Sequence, residues 1–129
     1  MKEPFVRAKS REGRCFELSY KVVTTYPDWT LVHGIVRMEP GSDRRLMIHA
    51  WAEKGDQVHD PVLNASFGRD RFYEIYVLDE SAIARYSSHD AQINAARNLH
   101  YGSWEPHLIK WEEGEFSLED YSLDSTRCT

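Results

Sequence analysis

The hydrophobic pattern changes its period at Tyr26-Pro27-Asp28, and this change limits the fold more than any other feature of the chain. Before it, residues 15–25 (Cys-Phe-Glu-Leu-Ser-Tyr-Lys-Val-Val-Thr-Thr) put Cys15, Leu18 and Val22 on one side with Phe16 and Val23 flanking, which is helical spacing. Gly13 lies just ahead, so Cys15 falls in the first turn. Proline disfavours helical geometry in the residue before it, and the helix should stop at Tyr26. From Thr30 the run Thr-Leu-Val-His-Gly-Ile-Val-Arg-Met is rich in β-branched residues and ends at the turn signal Glu39-Pro40-Gly41-Ser42. A strand is expected there.

Arg45 to Glu53 and Gln57 to Val62 flank Lys54-Gly55-Asp56, which predicts a tight β-hairpin. Asp70 to Leu78, with Phe72, Tyr73, Ile75, Tyr76 and Val77, reads as a further strand. Ser88 can cap a second helix that Ala91, Ile93, Ala95, Ala96 and Leu99 carry to about His100, with Gly102 just beyond. Helix, strands and helix in that order predict an α+β domain with a largely antiparallel sheet. No repeat or linker divides the chain, so residues 1–111 read as a single domain followed by an acidic C-terminal tail, 112–129. The default for that tail is a solvated segment. Phe116, Leu118, Tyr121 and Leu123 allow a competing role as an edge strand or groove cover.

A chain of 129 residues can bury roughly two thirds of its unfolded surface, enough for a core without metal or disulfide. The net charge of -5 comes from the end of the chain, because residues 1–111 hold 15 basic and 15 acidic side chains. Nucleic acid is therefore not expected as a partner, since phosphate binding relies on clustered Lys and Arg. The basic cluster Arg7, Lys9, Arg11 and Arg14 is diluted by Glu3 and Glu12 and reads as a solvated arm. No apolar run approaches the roughly 20 residues a membrane helix needs, and Met1-Lys2-Glu3-Pro4-Phe5 lacks the apolar core of a signal peptide. A cytoplasmic protein without a membrane partner is expected. Cys15 and Cys128 are too few for a disulfide framework, and Cys15 reads as a free thiol. The sequence carries no signal of oligomeric state.

Three residues suggest chemistry: Cys15 opening a helix, His49 in a strand and Asp60 in the next. A helix N-terminus and a neighbouring imidazolium both favour thiolate over thiol. If the hairpin turns on Lys54 and Gly55, His49 and Asp60 become direct cross-strand neighbours, close enough for the carboxylate to fix the imidazole tautomer. Cys15, His49 and Asp60 would then be nucleophile, base and orienting acid. Trp51, two residues from His49, shares its face and could exclude water. With His33 in the first strand and Trp104 in the loop after the second helix, it forms the candidate substrate-binding set, although core packing is the simpler account of all three. A metal site at His49, His59 and Asp60 is not expected, because residues 59 and 60 point to opposite faces of a strand. No cofactor is implied.

Gly13-Arg14-Cys15-Phe16-Glu17-Leu18, then His49-Ala50-Trp51-Ala52-Glu53, then Val58-His59-Asp60-Pro61 resemble the transglutaminase-like and papain-like cysteine hydrolases over about residues 12–64. The resemblance implies a Cys-bearing helix packed on an antiparallel sheet, with His and Asp on adjacent strands. It also implies attack by Cys15 on an amide, isopeptide or thioester carbonyl of a peptide or protein substrate. His49 would then shuttle the proton and Asp60 would orient His49. The sequence departs from that pattern where papain-like enzymes place a Gln as oxyanion donor, reading Ala8-Lys9-Ser10-Arg11-Glu12. Losing such a donor costs about 100- to 1,000-fold in rate. Two functions follow: a small cysteine hydrolase or acyltransferase, or a non-catalytic binding or inhibitor module of the phage or mobile-element type that keeps the fold.

Overall fold

The computed structural model describes residues 14–37 and 46–112. The turn signal at Glu39-Pro40-Gly41-Ser42, the basic residues ahead of Arg14 and the tail beyond Glu112 lie outside the described residues. The first helix, α1, spans Cys15–Thr25, the span its spacing predicts. Its first turns are tied by Glu17, which pairs with Arg14 at 2.6 Å and Lys21 at 3.1 Å. The buried face is Cys15, Phe16, Ser19 and Val23. Leu18 and Val22 are only half-buried, so the helix is rotated slightly from the orientation its larger side chains suggest.

Five strands follow: β1 (Thr30–Arg37), β2 (Leu46–Lys54), β3 (Gln57–Asp60), β4 (Ala65–Gly68) and β5 (Ala84–Tyr86). They form one antiparallel sheet in the order β4-β3-β2-β1-β5. The α+β expectation holds at this level. In β2 every residue from Leu46 to Glu53 is buried, because helices cover both faces of the sheet. Alternation sorts its side chains. Leu46, Ile48 and Ala50 pack with Cys15, Phe16, Ile35 and Leu108, and Ala52 packs with Val23, Leu31, Tyr86 and Ala91. On the other face, Met47 and Trp51 pack with Val32, Val36, Val58, Phe72 and Val77.

The segment expected as a fourth strand is a helix, α2, spanning Arg69–Tyr76. Phe72, Tyr73 and Tyr76 stand at positions i, i+1 and i+4, one helical face, and all three pack on the Met47 and Trp51 side of the sheet. Aromatic content suggests a strand here, but the spacing is helical. The strand that pairs with β3 comes earlier, at Ala65–Gly68, after a turn that contains Asn64 at φ 54°. The next long helix, α3, spans Ser88–Asn98. Its cap is Ser87, whose side chain accepts from the Asp90 N–H at 3.0 Å, and not Ser88. The short edge strand β5 and the final helix α4 (Pro106–Glu112) were not resolved from sequence. Among the described residues no helix is long and apolar enough to cross a membrane.

Candidate functional site

His49 and Asp60 meet. His49 Nε2 lies 2.6 Å from Asp60 Oδ2, with both side chains almost fully buried. The register that brings them together differs from the expected one. The hairpin turns on Gly55, at φ 60°, and Asp56, so Lys54 pairs with Gln57 and Ala52 with His59. Asp60 therefore stands diagonally from His49. A shift of two residues preserves the face, whereas a shift of one would have separated the pair.

Asp60 is bonded through both of its oxygens. Its second oxygen accepts from the N–H groups of Val62 at 3.0 Å and Leu63 at 3.3 Å. Burial pushes its carboxyl up, but the charge and hydrogen bond of His49 and the two N–H groups outweigh burial and hold it below the ordinary range. An ionised carboxylate only accepts, so His49 Nε2 carries the hydrogen. His49 Nδ1 is buried and has no hydrogen-bond partner among the described residues.

The ring lies against Trp51, with centroids 6.0 Å apart. Across the β1–β2 ladder its partner is Gly34. A Cβ at Gly34 would sit 2.7 Å from Ile83 Cγ2 and 3.1 Å from the Trp51 ring. Gly34→Ala should therefore cost about 1–3 kcal/mol by overpacking, read as a lower urea midpoint with an unchanged slope.

Cys15 does not join this pair. Its side chain is fully buried and packs with Ile48 and Ala50, on the α1 face of β2. His49 projects from the opposite face with Met47 and Trp51, because successive strand residues alternate. The expectation of a free thiol also fails, because Cys15 is disulfide-bonded. The expected nucleophile is thus separated from the expected base by the backbone of the central strand.

The candidate substrate-binding set divides in the same way. Trp51 lies with His49. His33 is fully buried on the α1 face, its ring 4.7 Å from Phe16, 5.1 Å from Tyr86 and 5.2 Å from Trp104. Trp104 is half-buried and donates its Nε1–H to the His100 carbonyl at 3.0 Å. Both residues close the α1 compartment rather than line a groove at His49.

A second polar cluster, which the sequence reading missed, occupies the His49 face near the end of β2. Glu53 is 4% exposed. It accepts from Trp51 Nε1 at 2.9 Å and from the Tyr73 hydroxyl. Burial, the hydrogen bond to Glu53 and the charge of Glu53 together push the Tyr73 hydroxyl up to about 12. Arg69 Nε and Arg85 Nε approach the other Glu53 oxygen, Oε1, at 3.7 and 3.5 Å, and Arg85 donates to the Tyr73 oxygen at 2.8 Å. The Arg69 guanidinium also lies over the Tyr73 ring, 5.3 Å from its centroid. The one available sequence signal was the two-residue spacing of Trp51 and Glu53, which puts them on one strand face. Arg69, Tyr73 and Arg85 come from elements the sequence did not delimit.

A cleft of about 380 Å³ opens beside this cluster, with Arg69 and Tyr73 on its wall. Comparison with known proteins yields no match to any family model, curated protein or solved structure.

Proposed function

We propose that the protein is a non-catalytic binding module on a helix-and-sheet frame of the papain-like or transglutaminase-like kind. The observation that carries this reading is the placement of Cys15 and His49 on opposite faces of β2. A general base must reach its nucleophile at hydrogen-bond distance or through one water. Here a buried strand intervenes, and the sulfur is already bonded. The chain order Cys, His, Asp and the hydrogen-bonded His49–Asp60 pair support the likeness of the frame. In this reading the pair anchors the β3–β4 turn to β2.

The test is alkylation of the native, unreduced protein with iodoacetamide across neutral pH, mapped by peptide mass spectrometry. No adduct is expected at Cys15 on a timescale that fully labels an exposed thiol peptide, and fluorogenic amide and thioester substrates should be hydrolysed no faster than in buffer. Labelling of Cys15 at about pH 6, slowed by His49→Ala, would overturn the reading in favour of a cysteine hydrolase.

A further inference from the structure

The cleft beside α2 has a charge pattern that narrows what it can hold. Arg69 and Tyr73 line it, and both contact the Glu53 and Arg85 cluster. Arg69 Nε lies 3.7 Å from Glu53 Oε1, too long for a hydrogen bond, so that carboxylate attracts the guanidinium without taking that donor. Stacking on Tyr73 holds the guanidinium in place. An oriented guanidinium of this kind suits a carboxylate, which it can engage with two parallel hydrogen bonds.

The remaining wall has the opposite sign. Asp70, Glu74 and Glu80 line it, and Arg71, at 3.5 Å, offsets only Glu74. Val77 and Leu78 supply an apolar strip. A dianion such as phosphate would meet more negative than positive charge here. A single carboxylate joined by an aliphatic stem to a cation would meet a complementary group at each end, with its stem on the apolar strip. A volume of about 380 Å³ is at the small end of ligand sites, suited to one or two amino-acid residues.

We infer that this cleft binds the α-carboxylate of a basic amino acid, either free or at the end of a peptide chain, through Arg69, with the cationic side chain directed to Glu80 and Asp70. The inference rests on the binding-module reading and names its ligand class.

The full chain, labelled with nitrogen-15, is titrated with Nα-acetyl-lysine, its carboxamide, Nα-acetylnorleucine and inorganic phosphate, following the Arg69 Nε–H resonance. Acetyl-lysine should bind with a Kd of about 1 mM, the affinity expected of a ligand that size. The carboxamide and the norleucine derivative should bind about tenfold more weakly or worse, and phosphate should not compete. Arg69→Gln should weaken acetyl-lysine by about tenfold or more. Glu80→Gln, an exposed change, should weaken acetyl-lysine and leave acetylnorleucine unchanged, which keeps the test decisive if the Arg69 variant fails to fold. Tighter binding of acetyl-glycyl-lysine than of lysine would assign a chain end, and the reverse order a free amino acid. Equal binding of acid and carboxamide, preference for phosphate, or no shift at roughly 10 mM ligand would overturn the inference. A blank titration with Cys15 still closed to alkylation removes the cleft proposal alone; native labelling of Cys15 removes the broader reading.

Discussion

Trp51→Ala should lower the stability of the protein by about 4 kcal/mol. The indole is fully buried, and its ring centroid is 5.2 Å from Phe72 and 6.3 Å from Tyr73. It fills the middle of the compartment between the sheet and α2. Truncation loses the transfer free energy of the ring and leaves a cavity that a sheet on one side and a helix on the other cannot easily close. It also removes the N–H that donates to Glu53 at 2.9 Å, leaving a buried carboxylate with one acceptor site less satisfied. For a domain of this size the change corresponds to a melting temperature lower by about 15 °C. Trp51→Phe keeps most of the packing and should cost about 1–2 kcal/mol. Chemical denaturation measures both. A loss below about 1 kcal/mol for the alanine variant would show that α2 does not pack on β2 as described.

Asp60→Ala should be the second large loss, about 3–5 kcal/mol, because it removes a buried carboxylate and leaves its buried hydrogen-bond donors unsatisfied. The change strands His49 Nε2–H, on a ring whose other nitrogen has no partner among the described residues, and frees the N–H groups of Val62 and Leu63. Asp60→Asn should lose less, since an amide oxygen can still accept from the turn. The effect has a defined pH dependence. The folded carboxyl titrates below its unfolded value, so the native state binds fewer protons than the unfolded chain while pH falls between the two. The stabilisation is fully present above the unfolded value, about 4, and is lost as pH falls through the folded value. Urea denaturation at neutral and acidic pH should therefore show the gap between wild type and Asp60→Ala narrowing below about pH 4. A gap independent of pH would mean that the carboxylate is not what the turn depends on.

Local signals identified the elements whose ends are chemically marked. Pro27 ends α1, Gly55-Asp56 turns the hairpin, and the β-branched run from Thr30 makes β1. His49 and Asp60 were legible as a pair because a two-residue turn fixes parity even when its centre moves. Two other features had no local signature. Aromatic density in residues 70–78 outweighed the i, i+1, i+4 spacing of Phe72, Tyr73 and Tyr76, so a helix read as a strand. The face of β2 that α1 covers could not be read at all. Leu46 to Glu53 are buried without alternation, and a strand covered on both sides carries no mark of which helix lies where. The pairing of Cys15 with His49 depended on that missing parity. The Glu53 cluster depended on residues from three separate elements, whose meeting is a tertiary event.

The two-sided burial of β2 also bears on how the chain can change. A substitution near Cys15 and one near Trp51 fall in separate hydrophobic clusters of the described residues, so their costs should sum rather than compound. The surface over α2 can thus be remodelled for a new ligand while the α1 half continues to supply the stability that such remodelling consumes.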